Sequence, residues 1–177
     1  MEHKLKLDFE KTLKNLSFSK KEIETKQNYL SRFLKVGIPN RNLENWKFSD
    51  LSQIIKKNIG ELSFYNDYST SNKVDSSVFV EGLEHNKIVF INGRVEKIDF
   101  QYEEKSKIEI LEDTELNNNF KNINSLVNLN NAFTNKHFKI IVKNNYSLKK
   151  PLIVYHSTNK KIKSKNINIR LDFLLEK

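Results

Sequence analysis

Four histidines, two adjacent carboxylate pairs and a block of lysines are the groups in this 177-residue chain with the reactivity to do chemistry. His3, His85, His137 and His156 are scattered, no two at metal-ligand spacing on one expected helix, and no cysteine stands beside them. His137 and His156 could meet only if the strands that carry them pair. The absence of cysteine also removes disulfides, thiolate nucleophiles and thiolate metal sites. Glu103 with Glu104, and Glu112 with Asp113, are the kind of carboxylate pair that glycoside hydrolysis uses. Neighbours on a strand point to opposite faces, however, so neither pair converges on one bond, and both read as solvated loop charge. Phosphate cradling needs clustered glycine, whereas Gly37, Gly60, Gly82 and Gly93 stand far apart, so the chain is not an ATPase. No Ser, His and Asp set assembles. The expectation is a protein that is not an enzyme, with no catalytic, metal-binding or cofactor-binding residue of its own.

The charge is uneven. Residues 1 to 135 carry 20 Lys and Arg against 20 Asp and Glu, and residues 136 to 177 carry 11 against 2, so the whole net charge of +9 lies in the last quarter. One reading is an anion-binding face for nucleic acid or an acidic partner. The favoured one is lysine filling exposed strand and turn positions, because flexible lysine without stacked aromatics or bidentate arginine reads nucleic acid poorly.

The elements that would position these groups begin with helices. Leu5, Phe9, Leu13 and Leu16 recur at helical spacing. Ser19 and Glu22 form a capping-box pattern ahead of a second helix, whose stripe is Ile23, Leu30, Phe33 and Leu34 and which runs to about Val36. Gly37 and Pro39 stop it. The segment that follows holds the only tryptophan, Trp46, and is expected to be a packed corner with three helices gathered around that ring, the third from about Asp50 to Lys57 with Ser49 or Asp50 as its N-cap. Ser63 to Asn86 is polar and irregular. Ile88 to Ile91, Asn92–Gly93 and Arg94 to Ile98 read as a hairpin. A strand is expected at Lys107 to Leu111, a short helix within the Asn-rich run from Asn117 to Asn131, and strands near Phe138 to Val142, Leu152 to His156 and Asn166 to Phe173. Their even spacing fits a sandwich or a β-helix equally well. No apolar run approaches the ~20 residues of a membrane span, and the first residues lack the apolar segment of a secretion signal. A cytoplasmic protein that does not engage membranes is expected.

Three stretches carry a resemblance. The run from Gly37 to Leu51 (GIPNRNLENWKFSDL) is similar to the "LPxRxxExWKYTDL" signature of the SufD branch of the SufB/SufD family, the scaffold proteins of the SUF iron–sulfur cluster assembly system. Phe90 to Arg94 resembles that family's "FVNGR" strand and turn. Leu129 to Val142 resembles its "LNxAFxxxGxxIxV" run, and Lys150 to Ile153 stands where it has "KPI". The matching residues are Pro39, Arg41, Glu44, Trp46, Lys47, Asp50, Asn92, Gly93, Arg94, Asn130 and Pro151, read as structural; Phe48 replaces a frequent tyrosine.

The resemblance implies an α+β fold: a helical N-terminal domain over 1–62, a linker over 63–87, and the first coils of a right-handed parallel β-helix over 88–177. It also implies a non-catalytic scaffold in a complex with a SufB-like scaffold and a SufC-like ATPase. An iron–sulfur cluster, and reduced flavin, would belong to that complex. Family members are more than twice this length, so the chain is expected to be an N-terminal portion, with cluster ligands and ATPase-docking helices beyond Lys177. The reading from another class is a basic nucleic-acid-binding module using residues 136–177.

Overall fold

A computed structural model describes residues 2–58, 60–65, 79–113, 124–135, 137–158, 162 and 164–177. They divide into two compact units that alternate along the chain. One draws its described residues from 2–65, 124–135 and 164–168, the other from 79–113, 137–162 and 169–177. Most of the expected linker, residues 66–78, lies outside the described residues, as do Phe120 and Ile123 of the expected Asn-rich helix.

The first unit is helical. Helix α1 spans Glu2–Asn15 and buries Leu5, Phe9 and Thr12, one stripe at intervals of four and three. Helix α2 spans Lys20–Val36 behind the expected capping box: the Glu22 N–H donates to Ser19 Oγ at 3.3 Å, and the Ser19 N–H donates to Glu22 Oε2 at 2.7 Å. Gly37 ends it at φ 78°, its N–H returning to the Phe33 carbonyl at 2.6 Å. That left-handed backbone is what glycine adopts without strain.

A single 3-10 turn at Glu44–Trp46 follows, and helix α3 spans Leu51–Asn58. Asp50 caps α3, its Oδ1 accepting from the Gln53 N–H at 2.9 Å. Helix α4, Ser125–Phe133, comes from far along the chain and packs extensively against α2. Its buried side chains are Asn128, Leu129, Asn131, Ala132 and Phe133, with Ser125 at its start, while Val127 faces solvent.

The core of this unit joins Leu5, Phe9, Tyr29, Leu30, Phe33, Leu62, Phe64, Leu129, Ala132 and Phe133. Phe133 is its centre, stacked on Phe64 with ring centroids 3.7 Å apart and meeting Phe9 edge-on at 5.7 Å. This corrects the expectation of three helices around Trp46. Trp46 is half-buried and outside the cluster, α3 buries none of its residues, and the third wall is α4. The reason is area: α4 offers a contiguous apolar face, whereas α3 commits only the partly buried Ile55.

The second unit holds two three-stranded sheets. Strands β1 (Asn86–Ile91) and β2 (Arg94–Asp99) form the expected hairpin through Asn92 at φ 53° and Gly93 at φ 82°. A register shift between Val89 and Phe90 bends it. Strand β5 (Leu152–Ser157) joins the other edge of β1 in parallel, with Asn86 opposite Leu152 and Ile91 opposite Ser157. The second sheet has the order β3-β4-β6, with β3 at Ile108–Asp113, β4 at His137–Val142 and β6 at Arg170–Leu175. There β3 pairs antiparallel to β4 and β6 parallel to it. Ile88, Phe90 and Ile140 are the buried centre, with Val95, Ile98, Ile108, Val154 and Leu171 among the partly buried residues packed on them.

The α+β class therefore stands, and the right-handed parallel β-helix does not. Successive coils of such a solenoid pair only in parallel, whereas among the described residues each sheet has three strands, with one antiparallel and one parallel pairing. Short strands at even spacing specify that strands form but not which strands pair; the two-residue turn at Asn92–Gly93 makes the first pairing antiparallel. The last strand also begins later than expected, because Asn166 is drawn into an isolated parallel bridge with Phe64 in the helical unit.

Candidate functional site

Among the described residues, a dense polar arrangement is built around Glu103, in the turn between β2 and β3. Its side chain is buried, and four donors converge on it. Asn86 Nδ2 donates to Oε1 at 2.7 Å, the Tyr146 hydroxyl to Oε2 at 2.7 Å, the Lys149 N–H to both oxygens at 3.1 and 3.0 Å, and the Lys150 N–H to Oε1 at 3.2 Å. Burial alone would raise the carboxyl pKa; the donors from Asn86, Lys149, Tyr146 and Lys150 outweigh it and hold the group below its ordinary range. Burial likewise pushes the Tyr146 phenol up. The fold makes this convergence: β1 delivers Asn86, whose N–H is also held by the Pro151 carbonyl at 2.8 Å, and the connection into β5 delivers residues 146–150. A carboxylate so fully occupied is a structural anion and not a general acid, which would need a free proton and an approaching substrate.

Glu103 was expected to be solvated loop charge, and it is the opposite. No local signal marks it, since its partners lie 17 to 47 residues away. Glu104 behaves as expected, exposed and paired with Lys149 Nζ at 3.0 Å.

A second buried charge lies in the helical unit. Lys26 sits on the face of α2 turned to α4, with Nζ donating to the Asn131 carbonyl at 3.3 Å and to the Thr134 carbonyl. Those carbonyls terminate α4, where the helix dipole is negative. The ammonium also lies 4.6 Å from the centre of the Phe18 ring. Burial pulls its pKa down to about 8, against the pull of Glu22 in the other direction.

The histidines do not gather. His137, on β4, is buried with Nε2 3.5 Å from Asp172, and His156, on β5, is exposed and stacks on Phe90 at 4.9 Å. Their strands belong to different sheets, so they do not pair. His85 is buried, Nδ1 at 2.6 Å from the Leu83 carbonyl and Nε2 at 2.7 Å from the Tyr155 hydroxyl, which also accepts from the Val80 N–H at 3.1 Å. With Nδ1 donating to the carbonyl, Nε2 accepts, and the ring ties residues 80–85 to β5. Among the described residues, no group of three or more His, Asp or Glu side chains is arranged to hold a metal ion.

The residues that carry the resemblance are divided between the units. Pro39, Arg41, Glu44, Trp46, Lys47, Asp50 and Asn130 belong to the helical one, and Asn92, Gly93, Arg94 and Pro151 to the sheets. Pro39 and Asn92 are buried, Trp46, Asp50, Gly93 and Asn130 half-buried, and Arg41, Glu44, Lys47, Arg94 and Pro151 exposed. The backbone carbonyl of Asn130 accepts from the Thr134 N–H and hydroxyl at 2.8 and 2.7 Å, closing α4.

The basic block is partly neutralised by carboxylates. Lys143 faces Glu109 and Glu176 at 2.5 and 3.4 Å, Lys150 faces Glu84 at 2.6 Å, and Arg170 faces Asp172 at 3.0 Å.

No helix among the described residues is long and apolar enough to cross a membrane. Compared with known proteins, the chain matches no family model and no curated protein.

Proposed function

We propose that this chain is a non-catalytic scaffold component of iron–sulfur cluster assembly, acting in the cytoplasm as a SufD-like partner of a SufB-like scaffold and a SufC-like ATPase. The observation that carries the reading is the order and register of three motifs: Gly37 to Leu51, Phe90 to Arg94, and Leu129 to Val142 with Lys150 to Ile153. Their spread over both compact units argues against a single borrowed segment. The buried Glu103 carboxylate is saturated by structural donors, which suits a scaffold better than a catalyst. The cluster, and any reduced flavin, belong to the complex in this reading.

Co-expression with a SufB-like and a SufC-like protein tests it. The chain should co-elute with at least one of them in size-exclusion chromatography after affinity capture of that partner. Elution on its own in both pairings would count against the assembly role.

A further inference from the structure

Strand β6 is a sheet edge that brings apolar side chains to solvent. Among the described residues it pairs with β4 alone, and Phe173, Leu174 and Leu175 are 49%, 43% and 71% exposed. The register sets Phe173 beside the buried Ile140, and Leu171 packs on the same core. Leu171, Phe173 and Leu175 therefore share the core-facing side of the sheet, whose apolar surface runs out to this edge uncovered. The Glu176 N–H donates to the Val142 carbonyl at 2.9 Å, so in this parallel ladder the even-numbered residues of β6 turn their N–H and C=O toward β4. Leu171, Phe173 and Leu175 turn theirs outward, a template for one more strand.

We propose that β6 pairs antiparallel with β6 of a second copy of this chain, about a two-fold axis at Phe173, joining the two sheets edge to edge. Self-complementarity selects this occupant and this register. A two-fold perpendicular to the sheet keeps each residue on its own face, so it passes through a residue and not between two. About Phe173, Leu171 faces Leu175 of the second copy, one phenyl ring meets the other, and Arg170 faces Glu176 of the second copy. One residue earlier, Asp172 would oppose itself; one residue later, it would oppose Glu176. Strand β3, the other edge of the sheet, offers no such match. About Ile110 it sets Ile108 against Glu112, and about Leu111 it sets Glu109 against Asp113. One strand from each copy makes a small interface, under about 1,200 Å², and the Kd should lie at about 10–100 μM. The pairing does not depend on the assembly role above.

Sedimentation equilibrium from about 1 to about 300 μM should show monomer and dimer and nothing larger, because an isologous contact closes on itself. Phe173→Lys sets like charges against each other on the axis and should weaken association about a hundredfold. The chain holds no cysteine, so Phe173→Cys and Leu175→Cys each carry a single thiol. Opposite residues of a hydrogen-bonded antiparallel pair have Cα atoms about 5.5 Å apart, a separation that a disulfide spans. Oxidation should cross-link Phe173→Cys and leave Leu175→Cys uncoupled, since its two copies would stand about 13 Å apart along the strands. Both side chains stand largely in solvent, and an unchanged far-UV circular dichroism spectrum verifies that each variant is folded. A chain monomeric throughout, association beyond the dimer, a dimer that survives Phe173→Lys, or equal cross-linking from the two cysteines each overturns the proposal. Monomer with slow exchange of the Phe173 amide at the lowest concentration would mean that another segment of the same chain holds the edge.

Discussion

Replacing Glu103 should destabilise the sheet unit more than its position in a turn suggests. The carboxylate gathers two backbone N–H groups, one side-chain amide and one phenol in a buried setting. Hydrogen bonds to a charged group contribute about 1.5–3 kcal/mol each when measured singly, and they are not additive. In Glu103→Gln one acceptor oxygen remains, but the new NH2 group faces Lys149 N–H, donor against donor, so the loss should be about 2–3 kcal/mol. In Glu103→Ala all four donors lose their acceptor, and about 3–5 kcal/mol should go. For a unit of fewer than about 100 residues, the Gln variant's loss lowers the melting temperature by roughly 10–20 °C.

Acid provides the independent arm. The folded pKa of Glu103 lies below the ordinary 4.5, so its contribution is complete above that value and disappears as pH falls through the lower, folded one. Wild type should shed this stability on acidification, and Glu103→Gln, having nothing to titrate, should not. Urea unfolding followed by far-UV circular dichroism, with hydrogen exchange of the β1 amides, is the measurement. Trp46 emission would miss the effect, since that residue belongs to the other unit. A Gln variant with the wild-type urea midpoint and an identical acid limb would refute the reasoning.

Two further outcomes concern the helical unit. Lys26 titrates near 8 when folded against an ordinary 10.5, so between those values the unfolded chain binds more protons and stability should rise with pH, by up to about 3 kcal/mol. Urea midpoints read from Trp46 emission should climb from pH 8 to pH 10 in wild type and lose that slope in Lys26→Met; parallel curves would remove the buried-ammonium account. Phe133→Ala should cost about 3–5 kcal/mol, whereas Trp46→Phe, outside the core cluster, should cost less than about 1 kcal/mol. Equal losses in urea unfolding followed by far-UV circular dichroism, which needs no indole, would restore the tryptophan as the organising ring.

Local chemistry determined the parts that local chemistry can reach. Ser19 and Glu22 start α2, Gly37 ends it, Asp50 caps α3, and Asn92–Gly93 closes the hairpin, each through bonds among residues at most a few positions apart. The same reading failed where the outcome rested on distant partners. It put the indole of Trp46 at the centre because aromatic type is visible in a sequence, whereas Phe133 wins that place only once α4 crosses α2. It left Glu103 in solvent because nothing nearby in the chain predicts that Asn86, Tyr146 and Lys149 converge there. Strand spacing leaves a sandwich and a β-helix equally open because it is blind to pairing partner; the parallel coils were what the resemblance implied, and the joining of β1 to β5 or β4 to β6 is a choice among distant segments. Caps and turns exchange energy over a few bonds and so are written into a short window of residues. Packing centres, buried anions and strand order are set by competition among all segments for the same apolar area and hydrogen bonds, and only the folded chain resolves it.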